Sequence, residues 1–497
     1  MRGTTPTASR RPVSSPEGRL YDFIATTSWP DLPADVQERA RSCLVDTVGA
    51  AIAGLATPAA VVAARVAPRV WGGDEATVLL DGARASAVGA TFANATAANG
   101  TDIDDCGKYT WGHPGALVVP TALAVGESVA ASGADVLAAV VAGYEVAFRV
   151  SRCTHAAEAY YRACGSWGAP ACAAVAARLL GLSAEQAAEA VGIAEYNAPD
   201  APMWRDVEHP AMVKHAIGWG AATGVTAALL AAEDFTGVPS VVAEARFMPW
   251  LAGIGEEFLI TSCVTWKRHS TCAWTHPAIV ALQRVLEQES FSAADVLAVE
   301  VVGYSDACRL YPDLPATSEE AQFSLPWAVA AYLRDREVSP AHMLADSMED
   351  PELRRLAAAV SWRESDEFTR LYRLSEEDRP GGAEMAQVVV TLRDGRSHDS
   401  GPVRFELYPA GGWSREEMDA KFRWLAAPVI GEHGAGELLG WLWRLDASDD
   451  VTGLVGSLTE AVRIGRSGDQ ARRSDGQKSE VRRDCTDKLN DGREGER

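Results

Sequence analysis

From about residue 18 to 265 the chain places its apolar residues at helical spacing, and very many of them are Ala, Gly and Val. Leu44, Val48, Ile52 and Leu55 form one stripe at i, i+4, i+8 and i+11. Ser183 followed by Gln186 reads as a capping box that opens the helix SAEQAAEAVGIAEY. Small side chains let helix backbones approach closely, so this region predicts tightly packed helices.

The pattern changes after about residue 290. Ser292 and Asp295 read as a short cap, and Leu297, Val299 and Val301 then alternate with their neighbours as in a strand. Val388, Val390 and Leu392 alternate in the same way and run into Asp394-Gly395, a hairpin signal. VRFEL at 403–407 reads as a third strand, and LPWAVAAYL between the strands reads as helix. Helix returns at Ser414, capped with Glu417, and Met418, Phe422 and Leu425 follow on one face. The fold class predicted is mainly α with an α+β lid: helical over 18–268, α+β over 269–408, helical again over 409–465. Residues 1–17 and 466–497 are polar and offer almost nothing to bury, so they are expected to be disordered.

Composition narrows the function. Hydrophobic residues make up 47% and charged residues 23% of the 497, as in an ordinary globular enzyme. A net charge of −22 argues against nucleic acid or an anionic membrane as partner. Nine cysteines stand in apolar runs without zinc-ligand spacing. That usage fits a reducing, cytoplasmic setting. No apolar leader is visible at the start, and no uninterrupted apolar run reaches membrane-span length.

The stretch TDIDDCGKYTWGHPGALVVPTALA, residues 101–124, carries the chemistry. It puts Asp102, Asp104, Asp105 and His113 inside an apolar setting. One such aspartate would be explained by a helix start. Three, with His-Pro-Gly, read better as a proton-transfer site, since burying carboxylates without a purpose is costly.

Five segments, ACGSWGAPACAAVAARLLGLS (163–183), EHPAMVKHAIGWGAATGVTAALLAAEDFTG (208–237), WKRHSTCAWTHPAI (266–279), EAQFSLPWAVAAYL (320–333) and REEMDAKFRWLAAPVIG (415–431), occur in an order that resembles the MmgE/PrpD family. The resemblance implies a large all-helical domain built from both chain ends, a smaller α+β lid and a homodimer. It implies a lyase or epimerase acting beside a carboxylate, with neither metal nor organic cofactor. A 2-methylcitrate-type dehydration is the first expectation, with decarboxylation of cis-aconitate type or epimerisation behind it. Asp102 and His113 match the family's catalytic pair, with Asp102 either orienting His113 or acting as the base. Lys214 matches a family lysine that holds a carboxylate or gives a proton. Lys267 matches the lysine entering the lid, and with the adjoining Arg268 it could clamp a dicarboxylate. His276 matches the family's Thr-His pair, and Tyr311 lies near a substrate-contacting tyrosine of some relatives.

Three positions depart from the pattern. Arg162 stands where many relatives carry histidine, Cys272-Ala273 where they carry Cys-Arg, and Cys106 where decarboxylase-like members carry threonine. Arg162 is therefore expected to supply the carboxylate contact that residue 273 no longer makes. The same losses support a second reading, a catalytically silent relative that binds a carboxylate or a partner protein.

Overall fold

The computed structural model describes residues 16–158, 160–377, 382–408 and 412–465. The segments expected to be disordered, 1–17 and 466–497, lie outside that set apart from Pro16 and Glu17, which open a first helix.

The helical part contains α1 (Ala34–Gly54), α2 (Ala87–Ala98), α3 (Pro114–Ser128), α4 (Gly133–Ala157), α5 (Cys164–Leu179), α6 (Ala184–Tyr196) and α7 (Ile217–Ala232). The lid follows with α8 (His276–Gln288), β1 (Val296–Gly303), α9 (Leu325–Asp335), β2 (Val360–Glu364), β3 (Glu384–Leu392), β4 (Ser397–Asp399) and β5 (Val403–Phe405). The chain then returns to the helical part as α10 (Arg415–Leu442). Both capping boxes at Ser183/Gln186 and Ser414/Glu417 form. Each satisfies helix-end amides that water would otherwise have to reach, worth about 1 kcal/mol per cap.

Two cores match the two parts. One apolar cluster runs from Leu20 to Val462 and takes in Met418, Phe422 and Leu442 of α10, so both chain ends build the helical domain. The small residues have their use here: a Cβ on Gly220 of α7 would lie 2.5 Å from the Gly165 Cα of α5. The second cluster joins Ile279 and Leu282 of α8, Trp327 of α9 and Val299, Val388 and Val390 of the sheet. The sheet order is β2-β1-β3-β4, with β5 also on β3; β1 and β2 are parallel and β3 runs antiparallel to β1, β4 and β5.

Two expectations are corrected. The alternation puts Leu297 on one face with Val299 and Val301, but a register shift between Val296 and Ala298 turns it outward, 53% exposed, while those two are buried. Lys214–Ala232 does have the length and apolar composition of a membrane span, yet it packs as a core helix, most of it buried.

Candidate active site

A two-residue antiparallel pair, Cys106–Gly107 on Val264–Thr265, ties the loop after α2 to the segment that enters the lid. Asp102 and Lys267, far apart in sequence, meet there: Lys267 Nζ donates to Asp102 Oδ2 at 2.9 Å. Lys214 Nζ donates to the other oxygen, Oδ1, at 3.3 Å and to Gln322 Oε1 at 2.6 Å. The Gln322 amide nitrogen donates to the carbonyls of Gly100 and Ser318, which fixes its oxygen toward Lys214. Asp102 sits at φ 56°, and Lys214, His215 and Ala216 follow one another at φ 35°, 54° and 55°. Left-handed backbone costs an L-residue roughly 1–2 kcal/mol, and such strain concentrates where a site needs a particular geometry.

His113 precedes Pro114 at the start of α3. Its Nδ1 lies 2.9 Å from the Asp105 carbonyl oxygen, which can only accept, so Nδ1 carries the proton. The Nε2 atom is thereby left for chemistry, 3.5 Å from Asp102 Oδ1. The three aspartates have separate tasks. Asp102 faces the site. Asp104 lies 3.3 Å from His113 Nδ1 and accepts from the Asn99 amide. Asp105 accepts from the Gly115 amide and the Tyr144 hydroxyl, anchoring the loop on α3 and α4. A Cβ on Gly115 would strike Thr47 Oγ1 at 2.4 Å, so this close approach requires glycine.

The electrostatics follow from burial and neighbours. Burial opposes the Asp102 anion, but Lys214, Lys267 and His113 outweigh it and hold the carboxyl well below the usual range. Burial of Asp105, then Asp46 and Asp104, outweigh its hydrogen bonds from Tyr144 and Gly115 and push it up to about 7. Lys267, against the pull of burial, is held charged by Asp102.

A cavity of about 1360 Å³ opens between the helical part and the lid, with Asp102, His113, His215, Cys106 and Cys272 on its wall. Trp204 and Trp274, stacked at 5.2 Å, and Tyr161 form an aromatic side. Arg152, held over the rings of Tyr109 and Trp250 at 4.8 and 4.6 Å, adds a cation to the same wall. The thiols of Cys106 and Cys272 are pushed up by burial, that of Cys272 to about 12, so they serve as neutral wall atoms rather than nucleophiles. Glu384, at the start of β3, also lines the cavity, and burial followed by Glu376 pushes it up to about 8. A carboxyl raised above its ordinary value stabilises the fold below about 4.5, and that contribution is lost as pH rises through about 8. Glu384→Gln is therefore expected to leave thermal unfolding unchanged at pH 4 and to raise the midpoint at pH 9 by roughly 2–4 °C. Equal midpoints at pH 9 would show that this carboxylate ionises without cost.

The remaining expected residues lie elsewhere. Lys267 belongs to the site but stands behind Asp102, its side chain fully buried, and does not line the cavity. Arg268 points the opposite way, pairing with Glu417 at 2.8 Å over the Trp413 ring, because consecutive residues of an extended segment face opposite sides. The Lys-Arg clamp is thus replaced by one inward and one outward cation. Arg162 pairs with Asp200 and Glu158 and stacks on Tyr160, off the cavity wall, so it does not take over for Ala273, which does line it. His276 is buried edge-on to His269 and Phe405, and burial above all lowers its basicity well below the ordinary range. Tyr311 directs its phenol to Glu320 rather than to the cavity.

Sequence reasoning missed Gln322, Arg152 and above all His215, whose ring stacks on His113 at 5.1 Å and 11°. Nothing in the spacing of KHAIGWGAA marks it. Among the described residues, Asp102, His113 and His215 are the group close enough to surround a metal ion. The two ammonium groups on Asp102 oppose a cation there.

Residues 18–255 match the family model for the MmgE/PrpD N-terminal domain and residues 269–444 that for the MmgE/PrpD C-terminal domain. The chain is 24% identical to a cis-aconitate decarboxylase of Aspergillus terreus over 491 residues, covering 91% of this chain and 97% of that protein. It is also 24% identical to the cis-aconitate decarboxylase of Homo sapiens over 457 residues, covering 84% and 89% respectively.

Proposed function

We propose, because this chain belongs to the MmgE/PrpD family, that it is a lyase working on a small di- or tricarboxylate by moving a proton at the carbon beside a carboxylate. The observation that carries the reading is the Asp102 carboxylate, shared by two buried lysines and set 3.5 Å from the free nitrogen of His113 at the cavity wall. His113 Nε2 takes the proton. Asp102, too well stabilised as an anion to be a strong base, stabilises the charged imidazole that forms, while the Asp105 carbonyl on Nδ1 orients the ring. Arg152 meets a carboxylate of the substrate, offsetting the chain's overall negative charge.

The chemistry takes one of two courses: proton removal followed by loss of a leaving group, or loss of carbon dioxide followed by return of a proton from protonated His113. Loss of hydroxide from the neighbouring carbon gives dehydration, the reading the sequence favours. Decarboxylation is the second reading, and the names of the relatives favour it. Neither route asks these residues for a metal or organic cofactor. A second copy of the chain fits the apolar outer face of α7, where Trp219 and Leu229 are 53% and 41% exposed.

Proton NMR of the protein in deuterium oxide with citrate, 2-methylcitrate, cis-aconitate, malate and iminodisuccinate tests the reading. Turnover or α-deuterium exchange on one of them is expected, and the product separates dehydration from decarboxylation. Silence from folded protein, with carboxylate binding intact, would instead support a silent relative.

A further inference from the structure

His215 is the described histidine with both ring nitrogens buried and without a hydrogen-bond partner. It is 4% exposed, parallel to His113 and edge-on to Phe323 at 5.7 Å. The nearest carboxylate, that of Asp206, is 3.8 Å from Nε2 and already accepts the backbone N–H of His215 at 2.6 Å. Polar atoms left unsatisfied in this way are costly, and a group held so needs a partner that arrives from outside. The cavity supplies the route, since His215 lies on its wall with Asp102 and His113. A ring nitrogen of His215, one of His113 and an oxygen of Asp102 all lie within 4.8 Å of one another. One substrate group placed between the two imidazoles would be within reach of both.

We propose that His215 is a further catalytic residue of this site, donating a ring N–H to the carboxylate oxygen on which negative charge gathers as the neighbouring carbon becomes carbanionic. The proposal rests on the carboxylate-lyase reading above. In dehydration, the C–H electron pair moves into the carbon–carboxylate unit while His113 Nε2 takes the proton; the pair then forms the C=C bond as the neighbouring C–O bond breaks, and the oxygen leaves as water with a proton from His113. In decarboxylation, the pair comes from the breaking C–C bond instead, carbon dioxide leaves, and protonated His113 gives its Nε2 proton to the carbanion. In both, no bond to His215 forms or breaks, and it supplies a donor fixed in place before the charge develops. Its surroundings keep it in that role. Burial, then the Lys214 charge, lower its basicity well below the ordinary range, with Asp102 opposing, so it stays neutral. A neutral imidazole donates without surrendering its proton. The left-handed run Lys214–His215–Ala216 and the Asp206 contact fix the ring's position.

Two variants of the full chain test this. His215→Phe keeps the ring packing on His113 and Phe323 but cannot donate; its kcat is expected to fall about 100-fold or more, with KM within about threefold. His215→Gln, which retains an N–H, is expected to recover part of that loss. Both should keep the limbs of the wild-type pH profile, because His215 does not titrate. Unchanged kcat in His215→Phe would overturn the proposal, as would loss of a pH limb, which would make His215 an acid or base. Binding of tricarballylate, a tricarboxylate without a hydroxyl to lose, provides a readout apart from turnover. Ring ¹⁵N NMR should show the His215 signal, identified by its absence from His215→Phe, moving when tricarballylate binds. A bound wild-type protein with that signal unmoved would refute the contact. If wild-type protein neither binds nor turns over any carboxylate of the panel, the functional reading itself fails, and the role of His215 falls with it; that failure is recognised in the wild type, before any variant is compared.

Discussion

Asp102→Asn is expected to lower kcat by about 1000-fold and to destabilise the fold as well. The catalytic loss follows from the position of the carboxylate 3.5 Å from His113 Nε2, where it balances the charge that forms as the imidazole takes the proton. The stability loss follows from the other side of the same carboxylate. Lys214 and Lys267 are both buried, and both lose their counter-charge. Removing one partner of a buried ion pair costs about 3–5 kcal/mol. The variant's lysines will titrate below their ordinary value of about 10.4, so the variant should approach wild-type stability at alkaline pH and fall away from it as pH drops. Steady-state kinetics and thermal unfolding at pH 7 and 10 check both parts. Wild-type turnover in a folded Asp102→Asn protein would remove this residue from the mechanism.

Lys267→Met is the second large effect. The sequence reading makes Lys267 a substrate clamp, which would raise KM. The structure places its ammonium behind Asp102, fully buried, so the expected result is different: KM nearly unchanged, lower kcat, and a stability loss of about 2–3 kcal/mol, smaller than a lone pair would give because Lys214 remains on Asp102. Asp102→Asn/Lys267→Met removes both charges and should recover part of the stability lost by either single change, a coupling that a double-mutant cycle measures directly. A raised KM with intact kcat would mean that Lys267 reaches the substrate after all.

The elements that the chain specifies locally were legible in advance. The boxes at Ser183/Gln186 and Ser414/Glu417 depend on contacts three residues apart, and the alternation of Val388, Val390 and Leu392 sets one face of β3. Leu297 was misplaced because one irregular register step inverts the alternation, and such a step leaves no mark in the pattern. Arg162 and Arg268 show the same limit at the level of side chains. Each stands where a resemblance puts it in the chain, but Asp200 and Glu417, distant in sequence, decide which way it points.

By itself, then, the sequence determined the helical class, the α+β insert, the family, and the pairing of Asp102 with His113, which one short loop can bring together. Only the tertiary structure decided which other groups share the site. Lys214 and Lys267 reach Asp102 across 112 and 165 residues, and Gln322 reaches Lys214 across 108. His215 adjoins Lys214 in the chain, yet its place on His113 depends on a left-handed turn that no residue type there announces. Contacts over such separations arise from the packing of whole elements, and local residue preferences carry no record of them.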